Sequence, residues 1–177
     1  MAPLLQVPSD MNLDRLLVRC RAFEGRAAAV YRTFASRTRH DPALCALWTA
    51  LAREEESHAE AIGRAAGWLD PSQCWHTNLD GWEDEFDEIE ARLSYAERPD
   101  IGADVDRQLV AALALERTEL DTLFHRLLAL MPASERPRTP EEHTAPLLAV
   151  AARRGANPAV AFEAALLQAR QRLRHAS

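Results

Sequence analysis

Several features that mark common protein classes are scarce or missing in this sequence. Its three cysteines, Cys20, Cys45 and Cys74, form no Cys-x-x-Cys pair, which excludes a zinc ribbon or a rubredoxin-type site. Cysteines this few and this far apart are typical of a reducing compartment, so we expect a cytoplasmic protein. Only 6 of the 177 residues are glycine while 47% are hydrophobic, a composition that suits an all-helical chain.

Three kinds of segment are also missing. No run of about 18 apolar residues occurs, so we expect no membrane span. The opening residues MAPLLQVPSD have no basic n-region and no long apolar core, so no signal peptide is expected. The net charge is −6 and the two signs are interleaved, which leaves no basic stripe to neutralise phosphates and excludes a nucleic-acid partner.

Three stretches carry apolar residues in alternating steps of three and four, the spacing that keeps one side of a helix toward a partner. One glutamate interrupts the middle of each stripe: Glu24, Glu55 and Glu116. The stripes are Leu13, Leu17, Cys20, Glu24, Ala27, Tyr31 and Phe34; Leu44, Trp48, Leu51, Glu55, His58, Ile62 and Ala65; and Leu109, Leu113, Glu116, Leu120, Leu123, Leu127 and Leu130. A buried carboxylate without a partner lowers the stability of the fold by several kcal/mol. Three of them in one chain therefore predict a cation that all three share.

Capping signals divide the chain into helices. Asp41 as N-cap and Pro42 at the first helical position open the second helix, and Gly67 ends it. The predicted core helices cover residues 10–37, 42–66, 104–130 and 139–154, with a crossover over 67–103 that holds a short helix at 82–95, and a terminal helix over 158–175. We therefore expect one all-α domain, a four-helix bundle with one long crossover and an extra C-terminal helix, as in the ferritin-like folds.

The crossover contains a strongly acidic segment, residues 80–90. An EF-hand loop counted from Asp80 needs Gly at its sixth position and Glu at its twelfth, where the chain has Glu85 and Ala91. The calcium-loop pattern therefore fails, and we expect a solvated helix face.

The glutamates have neighbours that suit a metal. Glu55 and His58 are three residues apart, so both project from one turn of a helix. Carboxylate and imidazole together favour iron or manganese over magnesium or a thiol-bound zinc. Tyr31 follows Glu24 by one heptad, so its phenol is a candidate hydrogen-bond donor to a ligand carboxylate or a one-electron donor; the alternative is an ordinary core tyrosine. Glu119 is a further candidate ligand beside Glu116.

The sequence resembles the ferritin-like superfamily, and rubrerythrin-type domains in particular. The resemblance is carried by Glu24 with Tyr31, then LAREEESHAEAI, then LALERTELDTLF. The resemblance covers about residues 13–130. It implies a non-haem di-iron centre that reacts with oxygen or peroxide, with Glu24, Glu55, His58 and Glu116 as ligands. Manganese or a single metal ion are the alternatives to two irons.

The fourth helix departs from the rubrerythrin pattern, which has a second Glu-x-x-His there. This chain has Pro140-Glu141-Glu142-His143, with Pro in place of that Glu. His143 is retained as a candidate ligand, against the alternative of a histidine near solvent at the helix start. Aligning the two helical hairpins places Arg153 or Arg154 near the level of Glu55, so an arginine in place of the ion is a rival interpretation.

The expected function is oxygen- or peroxide-coupled iron oxidation, or a related oxidase or peroxidase step, in a homodimer. The dimer is expected because ferritin-like bundles commonly pair and the terminal helix has an apolar side to bury. One alternative is a degenerate ferritin-like binding or scaffold protein without catalysis. Another is a di-iron hydroxylase whose pocket is shaped by residues 68–102.

Overall fold

The structure is a computed structural model that describes residues 13–65, 82–121 and 140–154, with side chains described for 15–64, 85–116 and 146–154. Regular structure in these ranges is entirely α-helical, without strands. The helices are α1 (Leu13–Arg37), α2 (Pro42–Ala65), α3 (Trp82–Ala96), α4 (Pro99–Gly102), α5 (Val105–Asp121) and α6 (Pro140–Arg153). The predicted terminal helix over 158–175 lies outside the described residues.

Helices α1 and α2 form a tightly joined hairpin. The Asp41 carboxylate accepts the backbone N–H groups of Ala43 and Leu44, both at 3.1 Å, and so caps the start of α2 as predicted. Pro42 follows as the first residue of α2. The two helices make the most extensive contact among the described elements. Their hairpin therefore fixes the level of each inward residue of α1 against α2.

Helix α3 attaches to the bundle through ion pairs as well as apolar contacts. Arg26 on α1 reaches Glu90 of α3 and Glu97, the residue that follows α3, at 2.7 Å each. Arg92 donates to the Ala114 carbonyl on α5 at 2.7 Å and also pairs with Glu88. The acidic segment is therefore only partly the solvated face that the sequence predicts, because two of its carboxylates are ion-paired to arginines.

The remaining helices close the core. Asp104 caps α5 by accepting the backbone N–H groups of Asp106 and Arg107, and Arg154 pairs with Asp106 at 3.1 Å. The end of α6 thus meets the first turn of α5, so the two helices run antiparallel. Helices α1, α2, α5 and α6 all contribute to one buried cluster, to which α6 adds Leu147 and Ala151.

Proline is tolerated inside α6, where Pro146 is exposed and the helix continues on both sides of it. None of the described helices is both long enough and apolar enough to cross a membrane.

Candidate metal centre

Four of the predicted ligands are buried on the inward sides of three helices. Glu24 lies on α1, Glu55 and His58 lie on α2, and Glu116 lies on α5. Their exposed fractions are 8%, 1%, 2% and 1%, respectively. The stripe pattern therefore placed all four on the correct side of their helices.

Glu24, Glu55 and His58 come together. The Nδ1 atom of His58 lies 3.1 Å from Oε2 of Glu55 and 3.8 Å from Oε2 of Glu24. One potential ligand atom from each of the three residues lies within 4.8 Å of the other two. The three-residue spacing on α2 brings Glu55 and His58 together, and the α1–α2 hairpin brings Glu24 to their level.

Glu116 is adjacent and is held by Tyr31. The Tyr31 hydroxyl donates a hydrogen bond of 2.7 Å to Oε1 of Glu116, which links α1 to α5 across the core. The Tyr31 ring is stacked on Trp48, with centroids 6.0 Å apart and planes 8° apart. Phe34 packs edge-on against Trp48 at 5.3 Å. This aromatic cluster fixes the phenol, and so limits the movement of the Glu116 carboxylate.

The pKa of Glu55 reflects its burial close to two other carboxylates. Burial is the main factor that raises the pKa of Glu55 well above its usual value, and the hydrogen bond with His58 opposes it. The nearby carboxylates of Glu24 and Glu116 raise this pKa further. Without a cation, the site therefore favours a protonated Glu55 over three neighbouring negative charges.

Neither arginine at the end of α6 takes the place of an ion at this position. Arg153 is exposed at the end of α6. Arg154 is also exposed, and it pairs with Asp106 instead. The rival interpretation in which one of these two guanidinium groups neutralises the glutamates is therefore wrong.

The donor set fits a metal ion. Metal bonds of about 2.0 to 2.2 Å place neighbouring ligand atoms about 3 to 4 Å apart, which is the range of the His58 Nδ1 distances to Glu55 and Glu24, 3.1 and 3.8 Å. The two carboxylates and one imidazole of this group are donors that suit iron or manganese, and the carboxylate of Glu116 lies near Glu55. The neutral imidazole can present the Nδ1 lone pair to a cation that lies between the same carboxylates.

Two other predicted ligands remain predictions. The backbones of Glu119 and His143 belong to α5 and α6, but their side chains lie outside the described part of the chain.

Cys20 lies close to Glu24. The sequence analysis placed it on the apolar stripe of α1 but predicted no function for it. It is buried one turn before Glu24. Burial first, and the charge of Glu24 second, raise the pKa of its thiol, so the thiol stays protonated. In the sequence, the proximity of Cys20 to Glu24 was indicated only by their positions on the same stripe.

Comparison with protein-family models, with curated proteins and with solved structures finds no match to this chain.

Proposed function

We propose that this protein is a ferritin-like iron protein that couples oxidation of ferrous iron to reduction of dioxygen or peroxide at the buried glutamate–histidine centre. The observation that carries the proposal is the convergence of Glu24, Glu55 and His58 within 4.8 Å inside the core. Glu116 lies beside them, and burying these acids without a cation would be costly.

Each residue has a task that follows from its position. Glu55 is close enough to both Glu24 and Glu116 for each to raise its pKa, so it would be the central carboxylate ligand of bound iron. Glu24 and Glu116 would supply further carboxylate oxygens, and His58 Nδ1 would supply the nitrogen. Iron bound here supplies electrons for the reduction of dioxygen or peroxide.

Tyr31 has two tasks in this proposal. Its hydroxyl orients Glu116 through the 2.7 Å hydrogen bond. The phenol would also donate one electron to the oxidant, dioxygen or peroxide, while its proton passes along the same hydrogen bond to Glu116.

The proposal is tested by anaerobic titration with ferrous iron, followed by exposure to air. We expect iron binding, then oxidation to ferric iron that is faster than in buffer and is followed by its absorbance. The Glu55→Ala variant should lose at least about tenfold in metal affinity, since even residues behind the ligands cost that much. Glu54→Ala is the matched control, because Glu54 is the preceding residue of α2 and lies off the inward stripe.

The same experiment distinguishes the alternatives. A protein that keeps its helicity but binds no iron would be a helical scaffold of this fold. Iron that binds tightly yet reacts with dioxygen only when an organic substrate is added would favour the hydroxylase.

A further inference from the structure

Two adjoining hollows lie on the surface of the α1–α2 hairpin, near the turn that joins the two helices. One has a volume of about 470 Å³ and the other of about 430 Å³. Four residues line both hollows: Arg39, Cys45, Thr49 and Arg53. The hollows therefore form one continuous depression, and each has a volume that is typical of small-molecule sites.

This depression is positively charged, although the chain as a whole carries a net charge of −6. Its charged lining residues are three arginines and one glutamate, Arg32, Arg39, Arg53 and Glu56, which give it a net charge of +2. Arg32 and Glu56 form an ion pair with each other. The excess positive charge therefore belongs to Arg39 and Arg53.

Arg39 and Arg53 have no counter-ion within the described part of the chain. Both side chains are exposed, and neither forms an ion pair with a described carboxylate. Other surface arginines do pair: Arg26, Arg98 and Arg107 each bind a carboxylate. Two guanidinium groups at one depression repel each other, and an anion bound between them would replace this repulsion by attraction.

The two hollows differ in the rest of their lining. Ser36 and Glu56 belong to the smaller hollow, which lies between α1 and α2. The larger hollow has an apolar wall, formed by Pro42, Ala46 and Ala50, beside the two arginines. The larger hollow therefore suits a ligand that joins an anionic group to an apolar body.

We propose that this depression binds a small phosphate monoester, with the phosphoryl group between Arg39 and Arg53 and the organic part on the apolar wall. Guanidinium groups bind phosphate oxygens through paired, charge-assisted hydrogen bonds. A phosphate monoester carries a charge of about −1.5 to −2 at pH 7, which matches two guanidinium groups, whereas a monocarboxylate neutralises only one. The site does not depend on the proposed iron chemistry, because Glu55 and His58 lie on the buried side of α2.

Cys45 provides a direct measurement of binding, because its half-buried thiol belongs to the lining of both hollows. The alkylation of Cys45 by iodoacetamide is followed on metal-free protein by mass spectrometry of the peptide that contains it. We expect phenyl phosphate to slow this reaction to a saturating limit, with a Kd at least about tenfold below that of benzoate. Inorganic phosphate should bind several-fold more weakly than phenyl phosphate, because it has no ring to place on the apolar wall. Isothermal titration calorimetry measures the same Kd values independently.

Substitutions of the two arginines test their contribution. Arg39→Gln and Arg53→Gln should each raise the Kd for phenyl phosphate at least about tenfold, because each removes a charged hydrogen-bond donor. Arg53→Lys should have an intermediate effect, since it keeps the charge but loses the paired hydrogen bonds. Arg37→Gln is the matched control, because Arg37 is exposed at the end of α1 and is not part of the lining. It should leave the Kd unchanged.

Three results would overturn the proposal. The first is the absence of saturable binding of phenyl phosphate, and the second is benzoate binding as tightly as phenyl phosphate. The third is an equal loss of affinity in Arg37→Gln and Arg39→Gln, which would reflect net charge alone. Inorganic phosphate binding as tightly as phenyl phosphate would overturn the contact between the organic part and the apolar wall. Circular dichroism checks that each variant keeps its helices, which we expect because the substituted arginines are exposed.

Discussion

At the scale of single residues, the feature that decides the site is the crowding of carboxylates around Glu55. Four inward positions were readable from the sequence because each interrupts an apolar stripe at the helical period. Their distances were not readable, since these depend on the level at which α1 and α2 meet. The phenol of Tyr31 illustrates the same limit: its position on the stripe made it a candidate donor to a carboxylate, with an ordinary core tyrosine as the alternative, and only the packing of α5 identifies Glu116 as the acceptor.

The raised pKa of Glu55 predicts a pH dependence of the metal-free protein. The folded state keeps a proton that the unfolded state releases near the usual carboxyl pKa of 4.5. The stabilisation from this proton is complete below that pH and is lost as the pH rises toward the higher folded-state pKa. Chemical denaturation of protein prepared with a chelator should therefore give a falling free energy of unfolding above pH 4.5. In Glu55→Gln, whose amide does not titrate, this part of the decline should vanish; an identical decline in both proteins would contradict the assignment.

The hydrogen bond from Tyr31 to Glu116 predicts a specific loss of stability. Tyr31→Phe keeps the stacked ring and removes only the hydroxyl, so we expect about 1 to 3 kcal/mol less free energy of unfolding. Urea denaturation measures this change. Tyr95→Phe is the matched control, because the Tyr95 hydroxyl forms no hydrogen bond within the described residues, and it should change stability little. Equal effects of the two substitutions would show that the bond to Glu116 contributes nothing.

At the scale of helices, the capping residues carried most of the predictive information. Asp41 and Pro42 gave the start of α2 correctly because the capping hydrogen bonds are local, involving residues two and three positions away. The position of α3 against α1 could not be predicted from the sequence, because it depends on ion pairs between Arg26 and glutamates that are 64 and 71 residues away. The short helix α4 was also missed, because its four residues are too few for a periodic pattern.

The cap at Asp41 predicts a measurable contribution to the hairpin. Asp41→Ala removes the acceptor for two backbone N–H groups at the start of α2, which should cost about 1 kcal/mol. Asp104→Ala removes the equivalent cap of α5 and should cost a similar amount. Thermal or urea denaturation measures both, while Asp41→Asn should retain most of the stability. A large loss in Asp41→Asn would mean that charge, and not the cap, is what matters.

At the scale of the whole molecule, all six described helices contribute to one buried cluster, and three of them each bury an acid beside it. The composition and the periodicity together predicted an all-helical chain, and the described residues confirm this. Periodicity alone does not give the order in which helices contact one another, which follows from long-range pairs such as Arg154 with Asp106.

A cation that binds only the folded state must stabilise the whole bundle. At about 100 times its Kd, a divalent ion such as Mn²⁺ should add about 2.7 kcal/mol and raise the melting temperature by about 5 to 10 °C. Differential scanning calorimetry with and without a chelator measures this shift. His58→Ala should show little of it, whereas Glu54→Ala should keep it. A shift that persists in His58→Ala would place the bound ion elsewhere.

The side chains of the proposed metal site differ in their exposure to solvent, and the most exposed one indicates the side from which an ion would enter. The Glu24 side chain keeps 10% of its surface open to water, while those of Glu55 and His58 keep only 1% and 2%. If the proposed metal site is correct, an arriving hydrated ion would therefore meet Glu24 before the more deeply buried Glu55 and His58. Glu24→Asp should therefore lower the rate of metal binding in a stopped-flow measurement more than it lowers the equilibrium affinity. This result is expected if Glu24 is the first residue that an entering ion contacts.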